Sequence, residues 1–202
     1  VPEPQISEFE SRVLEADWRW INEDDTHWTL SEAPGTLRIV SQGGAPAGDL
    51  QNAPNVLVRD APDGHFDLLT EVTFNPTSHC QYASIFVQLD DGSVVSLSRS
   101  YCEEDEASHC VGSGIYFDAS DLGCDPIGVP TSDETVRMLL RKAGRTYIGY
   151  RKEGEGWGDV IEIGRCSSSA TPSIVGLTAF NSDREIPQIA ADFDYFTVQE
   201  RQ

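Results

Sequence analysis

Positive charge is scarce: 14 Lys plus Arg stand against 34 Asp plus Glu in 202 residues, a formal net charge of −20. Such a surface repels phosphate backbones and anionic headgroups, and no basic patch offsets it, so nucleic acid and acidic membrane are excluded as partners. No run of about 18 apolar residues exists, so no helix inserted in a bilayer is expected. Nor is there a G-x-S-x-G elbow, an H-E-x-x-H pair or a phosphate-cradling P-loop, which removes the common hydrolase, zinc-protease and NTPase chemistries. The start, Val1-Pro2-Glu3-Pro4, has no signal-like apolar core and reads as a mature, processed end.

What is present is enough for a core. Apolar residues make up 39% of the chain, with 8 Phe, 6 Tyr and 4 Trp among them. Their spacing has a period of two: Thr36–Val40, Leu68–Phe74, Ser84–Leu89, Ser93–Arg99, Thr135–Arg141, Arg145–Arg151, Ser173–Phe180 and Ala191–Val198 all alternate, with β-branched and aromatic residues between turn-forming clusters. Asp90-Asp91-Gly92 and Ala143-Gly144 close hairpins, and a further turn at 153–156 leads to Trp157. Many strands without helical crossovers require an all-β fold, a two-sheet antiparallel β-sandwich or barrel. The expected organisation is an arm over 1–7 and one domain over 8–202, with a short helix over Glu8–Glu15 built on Phe9, Val13 and Leu14. The segment Tyr101–Asp133 reads as a decorated loop with Gly114–Asp118 its one strand-like stretch.

Five cysteines, at 80, 102, 110, 124 and 166, point to an oxidising, extracellular compartment. The odd number leaves one thiol over, and connectivity is open. Cys102 with Cys110 is the easiest pair, because a crosslink would hold the repelling acids of Glu103–His109 closed. The rival is zinc on His79-Cys80 and His109-Cys110, weakened by the lack of any C-x-x-C.

The ordered segments Trp18-Arg19-Trp20, Trp28-Thr29-Leu30, Pro34–Ile39, Asn55–Arg59, Ser84–Gly92, Leu97–Cys102, Gly114–Phe117, Val136–Arg141, Ile174–Ala179 and Phe193–Phe196 resemble the concanavalin A-like domains at the C-terminus of family 43 β-xylosidases and their DUF1349-type relatives. The resemblance runs from about residue 8 to residue 198. It implies a two-sheet jelly roll with a concave face, often with a structural calcium ion, acting as a non-catalytic partner of polysaccharide-degrading enzymes.

A sugar site needs aromatic faces for apolar C–H surfaces and convergent polar groups for hydroxyls. The candidates are Trp20, Trp28, Tyr101, Tyr150 and Trp157, with Arg38, Asn55, Gln88 and Arg99 as polar partners. For calcium, Glu8, Asp192 and Asp194 are the candidate ligands, since the chain ends can adjoin and Asp192-Phe193-Asp194 falls where the resemblance places a metal-associated strand. The leading expectation is a secreted, calcium-stabilised glycan-binding module. A self-assembling extracellular subunit, joined through edge strands or cysteine, and a glycoside hydrolase on the same scaffold are the alternatives.

Overall fold

Alternating side chains put neighbouring residues on opposite faces of a strand, and here one face of every long strand is apolar. The computed structural model describes residues 3–32, 34–44, 49–154 and 159–201. Its strands, in chain order, are β1 (Gln5–Ser7), β2 (Arg19–Ile21), β3 (Trp28–Thr29), β4 (Leu37–Val40), β5 (Gln42–Gly43), β6 (Val56–Asp60), β7 (His65–Thr73) and β8 (Gln81–Leu89). They continue as β9 (Val94–Cys102), β10 (Gly112–Ala119), β11 (Cys124–Pro130), β12 (Thr135–Ala143), β13 (Thr146–Lys152), β14 (Val160–Ser167), β15 (Pro172–Asn181) and β16 (Ala190–Arg201).

Two eight-stranded sheets result. Sheet A runs β14-β13-β12-β7-β16-β4-β3 with β1 added to β16, and sheet B runs β11-β10-β9-β8-β15-β6-β2 with β5 added to β15. Almost every pairing is antiparallel; the short β5–β15 pair is parallel. The fold is the expected two-sheet β-sandwich. No helix among the described residues is long and apolar enough to cross a membrane.

Between the sheets lie Phe66, Phe74, Phe117, Phe193 and Phe196, all shielded from solvent. Burying each such ring contributes roughly 1.5–3 kcal/mol. The Phe117 ring fits because Gly149 and Gly164 face each other on β13 and β14: a Cβ at either would come within 2.7 or 2.8 Å of it. One open edge of the sandwich is closed by a Cys124–Cys166 disulfide joining β11 to β14. At the other edge, Trp20 of β2 meets Trp28 of β3 with ring centroids 4.8 Å apart.

Three local expectations change. Glu8–Glu15 forms no helix. Phe9 adopts φ 51° and drops into the core, Leu14 packs beside it, and Glu15 accepts a hydrogen bond from Ser7 at 2.6 Å. A segment this short has too few helical bonds to resist those tertiary anchors. Gln5–Ser7, within the expected arm over 1–7, is a strand on β16. The stretch Tyr101–Asp133 contains two strands, β10 and β11, whose glycines admit the Tyr116 ring: a Cβ at Gly128 would lie 2.5 Å from Tyr116 Cε1.

Candidate functional site

The outward face of sheet B holds a cleft whose floor follows from the strand register. One row across the sheet is Thr178, Ser84, Ser98 and Tyr116, contributed by β15, β8, β9 and β10. The row on one side is Phe180, Tyr82 and Ser100, and on the other Gly176, Phe86, Ser96 and Asp118. Hydroxyls therefore carpet the middle while rings stand at the margins. Tyr82 stacks on Phe180 at 4.9 Å with 20° between ring planes. Leu50 and Val94 close the end beside Phe86, and Cys102 and His109 form the opposing rim.

The polar atoms are partly committed. Ser84 and Ser98 hydroxyls bond each other at 2.6 Å, and Ser100 donates to the Gln81 carbonyl at 2.7 Å. Tyr116 donates to the Gly112 carbonyl at 2.6 Å and accepts from the Val111 amide. The Thr178 hydroxyl is buried without a hydrogen-bond partner, a condition that costs free energy unless a ligand or water satisfies it. Burial pushes the Tyr116 phenol up. Tyr82 is also pushed up, first by burial and then by the neighbouring Cys80 thiol. Both remain neutral donors and acceptors at ordinary pH. Among the described residues Asp118 is the one carboxylate lining the cleft, and no Lys or Arg lines it.

Of the nine glycan candidates proposed from sequence, none of the eight among the described residues lines this cleft. Arg99 and Tyr101 have the wrong parity, since Ser98 and Ser100 are the residues of β9 that face out. Arg99 is instead buried inward, donating to the carbonyls of Asp133, Ser100 and Gly114 at 3.1 Å and to Ser113 Oγ at 2.6 Å. Gln88 shares the outward face but lies beyond the cleft, donating to the Gly92 carbonyl. Trp20 and Trp28 are spent on the sandwich edge. Tyr150 lies under Arg141, 5.3 Å from the guanidinium carbon to the ring centroid. Trp157 lies outside the described residues.

Asn55 is a frame residue. Buried at φ 49°, it accepts from the Asp24 amide at 2.7 Å and donates to the Asp24 carbonyl and to Gln42. Gln42 in turn donates to the Asp24 carboxylate at 2.8 Å. Hydrogen bonds from the Thr26 hydroxyl, from Gln42 and from the Thr26 amide hold that carboxyl at about 2, below its ordinary 3.8. A depressed folded-state value means the stabilisation is fully present above 3.8 and is lost as pH falls through about 2. An NMR pH titration should place the Asp24 midpoint near 2, with Asn55 side-chain amide shifts following it; a midpoint at 3.8 would detach Asp24 from this frame.

Arg38 and the expected calcium ligands belong together in another way. Arg38 clasps Asp192 through Nε at 2.6 Å and Nη2 at 2.8 Å and reaches Glu32 at 2.7 Å. Both Asp192 oxygens are thus used on the outward face of sheet A. Asp194 is exposed at a bulge in β16, its pKa raised by burial of the carboxyl and then by the Glu71 charge. Among the described residues, Glu8, Asp192 and Asp194 do not gather as a set of ligand atoms. Calcium requires six to eight oxygens, and these three carboxylates do not fit it. The set that does gather is Cys102, His109 and Cys110, but the two sulfurs are joined in a disulfide.

Alternation alone carried the signal for the missed residues: Ser96, Ser98 and Ser100 repeat at every second position of β9, opposite the buried Val95, Leu97 and Arg99. A polar face of small residues on an otherwise apolar strand marks the floor of a cleft.

Comparison with known proteins bears on the family and the fold. The profile of the beta xylosidase C-terminal Concanavalin A-like domain matches residues 7–199. The GH43 protein BlXynB from Bacillus licheniformis superposes with TM-score 0.78 at 20% identity, over 97% of this chain and 39% of that one. A Bacteroides ovatus GH43B from a xyloglucan locus gives 0.72 at 21% identity, over 98% and 40%. The xylan beta-1,4-xylosidase from Bacillus halodurans gives 0.70 at 22% identity, over 99% and 40%. The chain spans about two fifths of the length of these structures. At such identities the likeness establishes the fold. No curated protein matches the chain.

Proposed function

The chain belongs to the beta xylosidase C-terminal Concanavalin A-like domain family, and from that premise we propose that it is a secreted, non-catalytic module holding neutral glycan in the sheet B cleft. The observation that carries the reading is the hydroxyl row Thr178–Ser84–Ser98 set between the Tyr82–Phe180 stack and Tyr116, with the buried Thr178 hydroxyl lacking a partner. Rings accept the C–H face of a sugar, and a hydroxyl floor exchanges hydrogen bonds with sugar hydroxyls.

Charge narrows the ligand. Among the described residues the cleft has Asp118 and no Lys or Arg, and a protein of net charge −20 surrounds it. Uronate-bearing polymers are repelled, whereas neutral ones are indifferent to the field. Hydrolysis of a glycosidic bond ordinarily takes two carboxyl groups, and the lining supplies one. The two disulfides favour an oxidising compartment. Edge-to-edge assembly is opposed by Pro126 and Pro130 on the edge strand β11. Calcium has no part in this reading.

Affinity electrophoresis through gels containing neutral xylan, arabinan or β-glucan, with polygalacturonate as the charged control, tests it. Retardation is expected on at least one neutral polymer and on no uronate. Tyr82→Ala should weaken the retarding interaction about tenfold, equivalent to ~1.4 kcal/mol, and Thr178→Val should weaken it too, both with an unchanged far-UV spectrum. Failure on every neutral polymer, or full binding by the Tyr82 variant, would overturn the assignment of the cleft.

A further inference from the structure

The hydroxyl floor of sheet B lies in a pit whose sides are closed by the protein itself. The geometry points to a terminal sugar ring as its occupant: the module holds the end of a glycan chain and not a stretch of its interior. The inference rests on the cleft being the glycan site.

A chain interior needs two openings, one to enter and one to leave, and the described residues block both directions. Beyond β15 the outward side chains belong to β6, where Val58 stands opposite Gly176. Val56 and Val58 are fully buried there in one apolar cluster with Leu50 and Ala53, so the segment preceding β6 covers the sheet on that side. Beyond β10, Tyr116 is paired with Gly128 of β11. A Cβ at Gly128 would lie 2.5 Å from the His109 carbonyl oxygen and 2.5 Å from Tyr116 Cε1. The hydroxyl row therefore ends under the His109 backbone.

Rings close the other two sides. The Tyr82–Phe180 stack stands on one. On the other, the Phe86 ring lies against Gly176, whose Cβ would come within 3.1 Å of Phe86 Cζ. Val94, buried in the cluster with Leu50 and Phe86, is tied down there by its amide, which donates to the Asp121 carboxylate at 3.1 Å. Neighbouring strands lie ~4.8 Å apart and successive outward residues of one strand ~6.7 Å apart, so the floor Thr178–Ser84–Ser98 is about 10 Å long and one row wide. That is the room of one sugar ring and the start of the next.

The chemistry of the floor fits an end. A terminal residue carries a free hydroxyl where an internal one has a glycosidic bond. The Thr178 hydroxyl is wholly buried and without a partner, and a buried polar group left so costs free energy. Asp118 adds an acceptor at the corner of the floor. The additional hydroxyl of a chain end supplies what these groups lack.

Isothermal titration calorimetry of the native chain against linear oligomers of the neutral polymer that retards it, from disaccharide to hexasaccharide, tests the inference. Affinity should change less than threefold across the series. The same polymer cut to a tenfold shorter mean length carries tenfold more ends at equal mass, and should inhibit retardation at about a tenfold lower mass concentration. Borohydride reduction opens the reducing-end ring: unchanged binding assigns the non-reducing end, and loss of binding assigns the reducing one. Thr178→Val should weaken disaccharide and hexasaccharide by the same factor. An affinity that climbs tenfold or more from disaccharide to hexasaccharide, or equal inhibition by equal mass of long and short chains, would overturn end recognition and leave the glycan site standing. Absence of binding to every polymer and oligomer would remove the site, and the inference with it.

Discussion

Replacing Cys124 and Cys166 together by alanine is expected to lower the free energy of unfolding by about 4 kcal/mol, the loop-closure value for the crosslinked length. The two residues are 42 positions apart in the chain, so the bond removes a large ensemble of open conformations from the unfolded state. In the native state it joins the edge strands β11 and β14 of opposite sheets, beneath which Phe117 is packed. The melting temperature should fall by roughly 8–16 °C for a chain of this size. Urea unfolding of the double variant beside Cys102→Ala/Cys110→Ala gives the internal comparison. The latter bond closes a separation of 8 and should cost only roughly 2.5 kcal/mol by the same relation. Equal losses in the two variants would mean that loop length does not govern either bond.

A single methyl group should do damage of similar size at Gly176. A Cβ there would lie 2.0 Å from the Leu57 carbonyl oxygen, 3.1 Å from the Leu57 carbonyl carbon and 3.1 Å from Phe86 Cζ. Gly176 sits in the middle of the β15–β6 ladder, opposite Val58, with Phe86 on its other side. A side chain can turn away from such an approach, but a paired backbone cannot. Gly176→Ala must therefore push β6 off β15, which takes β2 with it and uncovers Val56 and Val58. The cost should exceed about 3 kcal/mol, beyond the usual range for overpacking, and little soluble protein is expected. Gly149→Ala is the control, because its Cβ would meet only side chains, Phe117 and Leu97, and it should stay folded with a loss of about 1–3 kcal/mol. A Gly176→Ala protein that expresses and melts like the parent would show that the ladder yields at this point.

The candidate site was less legible than the fold. Ser84–Leu89 and Thr135–Arg141 announce themselves as strands through alternation, and both are strands. Choosing the outward face is harder. Arg99 and Tyr101 have the chemistry of a sugar site, yet they lie one position out of phase with it. Serine at 98 and 100 has the right phase and unremarkable chemistry. Asn55, Arg38 and the tryptophans mislead for a related reason, since hydrogen-bonding and aromatic residues also brace a fold. Which use applies depends on Asp24, Asp192 and the opposite sheet edge, all distant in sequence or in strand order.

The sequence by itself determined the two-residue period, the turns and hence the all-β class, because alternation is a property of each strand's own backbone. It also determined the net charge of −20 and with it the expectation that polyanionic partners are repelled. Only the tertiary structure decided that Thr178, Ser84, Ser98 and Tyr116 form one row and that Cys124 meets Cys166. Those relations arise from hydrogen-bonded register between strands far apart in the chain, and a shift of one residue in any ladder would turn every side chain to the other face.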